Sequence, residues 1–268
     1  MKKIYIHTDL EGISGIDTQA KVMNTASPEH RYSIERLMVD VNAAVDGAFL
    51  GGAEHVTVLD SHGGGGNFDL TLLDSRAEYD TRPTKKWWGI LDESYCGSFF
   101  IGAHAMAGTL NAFLDHTQSS ETIYNYIVNG RKTGELGQWA MVCGHFGVPL
   151  IMASGDDAAM LEAVQFFGDI ETASVKRAIK RNLARLVPVD EAEARIRAAA
   201  KTSVEKAEPI KPYTPLLPME IIFEYMRSDY CDEAAAKQSA AGKSNIERIG
   251  ARTIRKVATS YLDFWLWY

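Results

Sequence analysis

Acidic and imidazole side chains follow three apolar stretches of the sequence, at the point where each stretch ends. Asp9 and Glu11 close the first stretch in "KIYIHTDLEG". His62 closes the second in "HVTVLDSH", and His104 closes the third in "GSFFIGAH". If these stretches are parallel strands, their carboxyl ends meet at one edge of the sheet, where open α/β folds bind their ligands. Because residues i and i+2 of an extended segment point the same way, Asp9 and Glu11 can face one site.

Carboxylate oxygens and imidazole nitrogens brought together from separate strands form a mixed donor set that suits zinc or a similar divalent metal. Each residue alone also has a structural role available to it, because carboxylates at strand ends commonly cap helices or turns. The agreement of three strand ends gives the metal hypothesis more weight, while the structural role stays open. The segment "EGISG" also allows a phosphate-binding turn, but it lacks the GxGxxG and P-loop patterns.

Two further residues could belong to such a site. His116 in "LDHTQ" lies in a predicted loop after the third strand, and Glu135 in "TGELG" opens a predicted helix. Taken alone, Glu135 also fits a first-turn acid that the helix dipole favours, and His116 fits an exposed loop histidine. Asp156 and Asp157, which close another strand, are predicted to cap the following helix rather than to reach the site.

The elements that must position these residues follow from the periodicity of the apolar side chains. Residues 30–52 carry apolar side chains at helical spacing and end in two glycines, which predicts a helix between the first two strands. A strand, a helix and a strand in this order form a βαβ unit with a parallel sheet. The further predicted elements are a strand over 97–104, a hairpin about Asn129 and Gly130, a helix over 134–147, a strand over 148–157, helices over 157–167, 172–186 and 190–207, a strand over 219–226, and a strand followed by a helix over 253–268.

This order of elements predicts the α/β class, with a doubly wound, mainly parallel sheet and a smaller C-terminal α+β portion. We expect a metal-binding catalytic α/β domain over residues 1–185 and a C-terminal portion over 186–268 that supplies assembly and substrate-channel contacts. The connector 208–218 holds four of the eight prolines of the chain. Trp87 and Trp88 are expected to line a channel or subunit contact or, at least as readily, to pack on the core.

The composition bounds the possible functions. The chain has 268 residues, 46% of them hydrophobic, and a net charge of -7, which argues against binding along a nucleic-acid backbone. Three scattered cysteines, Cys96, Cys143 and Cys231, indicate free thiols of a reducing cytosol rather than a disulfide framework. The apolar run at the N-terminus is too short for a secretory signal or a membrane span. We therefore expect a cytoplasmic protein without nucleic-acid or membrane partners.

Six short motifs occur together in the order and approximate spacing of one metallopeptidase family: "TDLEGISG", "LDSHG", "FIGAHA", "LDHT", "NGRKTGELG" and "PLIMASGDD". On these motifs the chain resembles the DppA-type D-aminopeptidases, metallopeptidases associated with bacterial dipeptide uptake. The resemblance covers about residues 3–180, and the C-terminal third is similar only in general pattern. It implies two zinc ions per subunit, with Asp9 as the bridge between them and His116 as the catalytic histidine. The metal ligands that it implies are Asp9, Glu11, His62, His104 and Glu135.

The resemblance also implies a ring-based homodecamer that encloses its active sites, and a preference for short peptides with D-residues such as D-Ala-D-Ala. The expected activity is aminopeptidase hydrolysis by water that two zinc ions activate, with His116 as general base, oxyanion stabiliser or nucleophile. The chain departs from the family pattern in the four glycines after His62, in Asp115 before His116, where a small polar residue is commoner, and in the terminal "DFWLWY". The first two departures bear on substrate preference and the third on assembly.

Other functions compete with this interpretation. Asp and His clusters also serve dinuclear phosphoesterases. A phosphate clamp usually needs one or more arginines. The scarcity of arginines near the motifs, where Arg131 is the one example, argues against this function. A hydrolase of another amide uses the same chemistry. A non-catalytic module that binds a metal or a peptide is a third possibility, although closed structural zinc sites usually use cysteine and no cysteine lies in a motif. Zinc, manganese and cobalt can share such ligands.

Overall fold

The computed structural model describes residues 1–81, 86–206 and 210–266 of the chain. The strands in these residues are β1 (Lys3–Thr8), β2 (His55–Leu59), β3 (Glu78–Asp80), β4 (Gly97–Ala103), β5 (Ile123–Val128), β6 (Arg131–Lys132), β7 (Leu150–Asp156), β8 (Glu171–Lys180), β9 (Leu183–Leu186), β10 (Met219–Tyr225), β11 (Ile246–Gly250) and β12 (Thr253–Ala258). The α-helices are α1 (Ala20–Met23), α2 (Pro28–Leu50), α3 (Glu135–His145), α4 (Asp157–Phe167), α5 (Val189–Glu205) and α6 (Ser228–Ala240). Short 3-10 turns cover His62–Gly64 and Tyr261–Asp263.

The larger sheet has seven strands in the order β3-β2-β1-β4-β7-β8-β9. Its strand pairs are parallel except for β8 and β9, which pair antiparallel. In the centre, Ile6 of β1 lies opposite Val58 of β2 and Phe99 of β4. The chain builds outward from β1 through β2 to β3 and then continues on the other side of β1 with β4. The predicted mainly parallel α/β sheet is confirmed, and the strand order reverses between β1 and β4, where open α/β sheets bind ligands.

Alternate side chains of the central strands pack into two separate cores, one on each face of the sheet. Ile4 and Ile6 face the core that is formed with α2 and α5. Tyr5, which lies between them, faces the core that is formed with α3, α4 and the smaller sheet. Because neighbouring residues of a strand point to opposite faces, a strand that is buried on both faces has a continuous apolar sequence. This burial explains why the central strands could be recognised from the sequence.

The predicted helices over 30–52, 134–147, 157–167 and 190–207 correspond to α2, α3, α4 and, over its described part, α5. α2 begins after Ser27, whose hydroxyl accepts a hydrogen bond from the backbone nitrogen of His30 at 3.0 Å, as expected for an N-cap serine. α2 ends at Gly51, as the sequence predicts. None of the described helices combines the length and the apolar composition that spanning a membrane requires.

The smaller sheet is antiparallel, with the strand order β11-β12-β10-β5-β6. The hairpin between β5 and β6 turns at Asn129 and Gly130, whose φ angles are 49° and 81°. These left-handed values are the ones that a tight hairpin turn requires, so the predicted hairpin is confirmed. Because β5 and β6 come from the middle of the chain, this sheet joins segments from both sides of residue 185. The domain boundary at 185/186 stays a prediction.

The helix predicted over 172–186 is wrong, because this stretch forms β8 and β9 at the edge of the larger sheet. Val175, Ile179 and Leu183 have the four-residue spacing of a helix, but Ile179 is 59% exposed. The buried pair is instead Ala173 and Val175, at the two-residue spacing of a strand, in the core against α5. The parallel pairing of β8 with β7 decides the structure of a segment whose local pattern is ambiguous.

The helix predicted near the end of the chain is also wrong within the described residues. After β12 the chain makes one 3-10 turn over Tyr261–Asp263, and Phe264 and Trp265 then lie in the core beside the smaller sheet. The hydroxyl of Tyr126 on β5 donates a hydrogen bond to the carbonyl oxygen of Phe264 at 2.6 Å. Residues 267–268 of the predicted helix lie outside the described residues, as do residues 208–209 of the proline-rich connector. The structure also contains four elements that the sequence patterns do not predict: α1, β3, α6 and β11.

Candidate metal centre

A cavity of about 460 Å³ lies beyond the carboxyl ends of the parallel strands. This volume is in the range of about 300–1,000 Å³ that is usual for small-molecule sites. His104 lies below the cavity surface, with 2% of the residue exposed. The other predicted site residues line the cavity wall: Asp9, Glu11, His62, His116 and Glu135. The fold therefore brings all six predicted residues to one place.

Asp9, Glu11 and His62 form the first of two groups whose ligand atoms lie within 4.8 Å of one another. The Nδ1 atom of His62 is 2.8 Å from Oδ1 of Asp9 and 3.3 Å from Oε2 of Glu11. Asp9 and Glu11 come from the end of β1, and His62 comes from the 3-10 turn after β2. Two adjacent parallel strands thus supply two carboxylates and one imidazole to one point.

His104, His116 and Glu135 form the second group of possible ligands. The Nε2 atom of His104 is 3.3 Å from Oε1 of Glu135, and Nε2 of His116 is 3.7 Å from the same oxygen. The two imidazole rings stack with centroids 3.8 Å apart and an angle of 8° between their planes. His104 follows β4, and Glu135 begins α3, so this group joins the larger sheet to a helix on its face.

Asp9 links the two groups. Its Oδ1 atom faces His62, while its Oδ2 atom is 3.3 Å from Nε2 of His104. The two oxygens of one carboxylate therefore face imidazoles that come from strands on opposite sides of β1. This arrangement allows Asp9 to contribute one oxygen to each of two neighbouring cation sites.

Two glycines allow the loop after β1 to lie against the end of β4. A Cβ atom on Gly12 would lie 2.0 Å from the carbonyl oxygen of Ala103, and a Cβ on Gly102, whose φ is +84°, would lie 2.1 Å from the carbonyl oxygen of Asp9. Side chains there would separate the two segments. The backbone hydrogen bond from Gly12 N to Gly102 O, at 2.8 Å, holds the loop in place and keeps Asp9 beside His104.

A buried lysine fixes the other side of this loop. The Nζ atom of Lys176 donates a hydrogen bond to the backbone carbonyl oxygen of Glu11 at 2.7 Å, and Lys176 is only 1% exposed. Burial lowers the pKa of Lys176 to about 7, although the carboxylates of Asp156 and Asp40 oppose that shift. The sequence does not reveal this contact, because Lys176 lies in β8, in the stretch whose spacing predicts a helix.

The glycine-rich segment after His62 has a defined structure. Residues 63–66 all have positive φ angles of 57°, 99°, 85° and 90°, a conformation that glycine adopts at little steric cost. The carboxylate of Asp60 accepts hydrogen bonds from the backbone nitrogens of Gly66 and Asn67 at 2.8 and 2.7 Å. The side-chain amide of Asn67 donates to the carbonyl oxygen of His62 at 2.8 Å. This folded loop orients His62 toward Asp9.

The backbone fixes the orientation of two imidazoles. His104 donates from Nδ1 to the carbonyl oxygen of Ala105 at 3.1 Å, and His116 donates from Nδ1 to that of Leu114 at 2.8 Å. When such a ring is neutral, as it must be to bind a metal, its Nε2 is unprotonated, and in both rings this nitrogen faces the carboxylates. Histidines that bind metals commonly donate their second nitrogen to a backbone carbonyl in this way.

The site residues fit divalent cations. Oε2 of Glu11 and Nε2 of His104 are buried and form no well-oriented hydrogen bond with any described residue, although charged atoms lie 3.3 Å away. Buried polar atoms rarely lack a partner, because desolvation without one is costly. Carboxylate oxygens and imidazole nitrogens are zinc ligands, and a cation between them would satisfy these atoms.

Without a bound metal, the carboxylates and imidazoles of the site shift one another's pKa values. Burial raises the pKa of Glu11, but the charge of His62 outweighs it and holds the pKa well below its usual value. Burial and the opposing charge of His104 act in the same way on Glu135, whose pKa falls to about 2. Burial lowers the pKa of His62 and His104, but facing carboxylates raise both well above the usual value. The pocket therefore combines ionised carboxylates with protonated imidazoles, whose protons occupy positions that a cation can replace.

Two further predictions concern Asp156 and Trp87. Asp156 caps α4 as predicted, accepting from the backbone nitrogen of Ala159 at 3.2 Å. Trp87 both packs in the core and lines the cavity.

Arg131 stacks on Phe166, with its guanidinium carbon 3.5 Å from the ring centroid, and does not line the cavity. Arg181 does line it. The sequence does not reveal this position of Arg181, because the residue lies between β8 and β9, where the spacing predicts a helix.

Comparisons with known proteins agree on one family. A family model described as D-aminopeptidase matches residues 1–268. A D-aminopeptidase of Bacillus subtilis (strain 168) is 32% identical over 218 residues, which cover 80% of this chain and 77% of the relative. The solved structure of the Zn-dependent D-aminopeptidase DppA from Bacillus subtilis, described as a self-compartmentalizing protease, superposes with a TM-score of 0.89 at 25% identity. That alignment covers 98% of this chain and 93% of the solved chain.

Proposed function

The chain belongs to the D-aminopeptidase family, and from this premise we propose that it is a zinc-dependent aminopeptidase that removes the N-terminal residue from short peptides, D-residue dipeptides in particular. The observation that carries the proposal is the position of Asp9, whose two oxygens face His62 and His104 from different strands. A carboxylate shared between two donor groups can hold two neighbouring cations, which a two-metal hydrolase needs.

The proposed ligands divide into two sets that share Asp9. Glu11 and His62 complete the first set, and His104 and Glu135 complete the second. When bound, zinc supplies a Lewis acid that polarises a carbonyl and lowers the pKa of water. The chain holds the five ligands in position through the Gly12 loop, the turn after β2 and the first turn of α3.

His116 is the proposed catalytic residue. Its Nδ1 atom is engaged with the carbonyl oxygen of Leu114, so the neutral ring presents an unprotonated Nε2 to the cavity. This geometry favours a general base that accepts a proton at Nε2 and returns it to the departing amine. Because Nε2 also lies 3.7 Å from Glu135, a role for His116 as a metal ligand must be tested separately.

Zinc content distinguishes the two roles. We expect His104→Ala to lose zinc and activity together, while His116→Ala keeps zinc and loses activity by roughly 100- to 10,000-fold, the usual contribution of a general acid or base. His55→Ala is the matched control, because His55 lies at the opposite end of β2. Loss of zinc from His116→Ala would show that His116 is a ligand. Full activity in that variant would contradict its catalytic role.

The activity itself is tested with paired D,D- and L,L-dipeptides, before and after chelation and the return of zinc. The proposal expects hydrolysis that chelation abolishes and zinc restores, with the D,D-dipeptide preferred. Hydrolysis of a nitrophenyl phosphate, with no peptide cleaved, would favour the phosphoesterase alternative. A zinc-loaded protein that cleaves neither compound would favour a non-catalytic binding module.

Assembly into a homo-oligomer, with a ring-based decamer as the specific form, is part of the proposal, as are a cytoplasmic location and the use of residues 186–268 for assembly contacts. The DppA neighbour is described as self-compartmentalizing. Apolar side chains at the surface of the C-terminal part support such contacts: Leu216, Leu217, Met226, Ile249 and Val257. Light scattering should give the mass of ten copies of the 29.6 kDa chain. A monomer at micromolar concentration would contradict the assembly.

A further inference from the structure

Arg181 is the one lysine or arginine among the described residues that line the cavity. The other charged side chains of the lining include the carboxylates of Asp9, Glu11 and Glu135, which are the proposed metal ligands. The side chain of Arg181 is 43% exposed, whereas that of Asp9 is only 9% exposed. A permanent positive charge therefore lies toward the open part of a cavity whose buried part collects negative charge.

Asp115 and its neighbours hold the guanidinium of Arg181 in a fixed orientation. The Nε atom of Arg181 is 2.9 Å from Oδ1 of Asp115, and Nη2 donates to the backbone carbonyl oxygen of Asp115 at 3.0 Å. Nη1 donates to Oδ1 of Asn182 at 3.2 Å. The other oxygen of Asp115 accepts from the backbone nitrogen of Gly108 at 2.7 Å. Asp115, the residue that departs from the family pattern, thus has a structural role beside the cavity.

These contacts leave part of the guanidinium available. A guanidinium has five N–H groups, one on Nε and two on each Nη. The three contacts above use one N–H on each nitrogen, so one remains on Nη1 and one on Nη2. Both of these N–H groups can donate to the oxygens of a carboxylate, and the opposite charges strengthen such hydrogen bonds.

Arg181 also lies close to the proposed chemistry. Its partner Asp115 precedes His116 directly, and the backbone nitrogen of Leu114 donates to the carbonyl oxygen of Arg181 at 2.7 Å. An extended peptide spans about 3.3–3.6 Å per residue. A substrate whose scissile bond lies at His116 can therefore place its C-terminal carboxylate at Arg181 only if it is short.

We propose that Arg181, oriented by Asp115, binds the free C-terminal carboxylate of the substrate and thereby selects short peptides with a free C-terminus. The inference rests on the proposed aminopeptidase function. It adds a recognition element for the end of the substrate that does not react.

A peptide and its amide test the proposal directly, because both carry the same scissile bond and the same free amine. We expect the wild type to cleave D-Ala-D-Ala with a kcat/KM roughly 10- to 100-fold above that for D-Ala-D-Ala-amide, the effect expected of a charge-assisted pair. Arg181→Gln should lower kcat/KM for the acid by a similar factor and for the amide by less than about threefold. Equal losses for acid and amide, or a wild type that does not discriminate, would overturn the proposal.

Arg185→Gln is the matched control. Arg185 lies on β9, is exposed, and pairs opposite Arg177, so the substitution removes the same charge outside the cavity lining. The control should keep the preference for the acid. If Arg185→Gln lost the preference as Arg181→Gln does, the effect would come from net charge, and the specific role of Arg181 would be refuted.

A second variant tests the positioning role of Asp115. Asp115→Asn keeps the shape of the side chain but removes the charge that holds Nε. We expect KM for the acid to rise severalfold, about 3- to 10-fold, while kcat is retained, because the reacting atoms are not touched. A fall in kcat with KM unchanged would show that Asp115 acts through His116, and this would contradict its role in holding Arg181.

Failure of the inference and failure of the proposed function give different results. If zinc-loaded wild type cleaves neither compound, the aminopeptidase function fails, and calorimetric binding of the same two compounds then decides the inference. Tighter binding of the acid that Arg181→Gln abolishes would support a carboxylate site. Equal binding of acid and amide would overturn it.

Discussion

Two sets of buried carboxylates in this molecule differ in the direction in which their pKa is shifted, although burial acts to raise the pKa of each of them. In the metal centre, the imidazoles of His62 and His104 outweigh burial and keep the pKa of Glu11 and Glu135 low. At Asp40 and Glu162 burial dominates. The pKa of Asp40 is raised despite hydrogen bonds from Ser14, and that of Glu162, which accepts from the backbone nitrogen of Met106, is raised to about 7.

The difference shows what distinguishes a cation site from other buried acids. Burial raises the pKa of Glu162 to about 7 because the groups that face it do not compensate for desolvation. Glu11 and Glu135 stay ionised because imidazoles from other segments face them at 3.3 Å. Ionised carboxylates and imidazoles in one pocket are ready to exchange their shared protons for a metal. Asp9 joins two such donor groups.

The largest expected effect comes from the shared ligand. We expect Asp9→Asn to lower zinc content and to reduce kcat/KM by more than about 1,000-fold, because loss of an outer partner of a ligand alone costs about 10- to 100-fold. Elemental analysis and kinetics measure both quantities. Glu162→Gln is the control, because Glu162 is also a buried carboxylate but is not a proposed ligand. This variant should keep its zinc. If Asp9→Asn retained two zinc ions, the claim of a shared ligand would be wrong.

The stability that bound zinc adds to the protein should depend on pH. In the metal-free chain, the raised pKa values of His62 and His104 contribute stability that is present below pH 6.5, their usual pKa, and is lost as the pH rises through the folded values. Zinc replaces those protons, so it should stabilise the protein more at pH 8 than at pH 6. Zinc at 100 to 1,000 times its Kd contributes about 3–4 kcal/mol.

Thermal unfolding of the chelated and zinc-loaded protein at the two pH values measures this difference. The low pKa values of Glu11 and Glu135 act at the other end of the scale. Their contribution is present above pH 4.5 and is lost as the pH falls through the folded values. A zinc effect that is larger at pH 6 than at pH 8 would contradict the proton exchange.

A smaller effect on zinc affinity is expected from Lys176, which contacts the loop after β1. Lys176→Met removes the donor to the Glu11 carbonyl, and we expect zinc affinity to fall about 10- to 100-fold, as for other partners that orient ligands. Lys256→Met is the matched control, because Lys256 is equally buried but donates to the carbonyl oxygen of Trp265 beside the smaller sheet. It should lower stability without changing zinc affinity. Equal zinc affinity in both variants would show that Lys176 only stabilises the fold.

The smallest expected effect concerns Glu162 itself. Its raised pKa means that the folded chain holds a proton that the unfolded chain releases, so stability falls as the pH rises from 4.5 to about 7. Glu162→Gln removes this dependence. The variant should gain about 1–3 kcal/mol relative to wild type between pH 5 and pH 8. Urea unfolding at the two pH values measures the gain, and an unchanged difference would show that Glu162 is ionised in the fold.

The sequence was most informative where chemistry coincides with the end of a buried strand. Asp9, Glu11, His62 and His104 could be placed together because parallel strands of a doubly wound sheet end at one edge. Glu135 and His116 could be noted as possible members of the site, but only the family resemblance gave them roles, since an acid in the first turn of a helix and a histidine in a loop are common in proteins that bind no metal.

Partners that meet only through tertiary structure could not be predicted. Lys176 contacts Glu11 across 165 positions of the sequence, and no local pattern signals that contact. Arg181 was hidden by an apparent helical spacing that the pairing of β8 with β7 overrides. In both cases the error in one edge hairpin concealed a residue that lies beside the site.

Anomalous diffraction at the zinc edge from crystals of the zinc-loaded protein would show whether Asp9 is shared between two zinc ions. We predict two peaks that flank the carboxylate of Asp9, one beside Glu11 and His62 and the other beside His104 and Glu135. A single peak, or two peaks that do not share Asp9, would contradict the account.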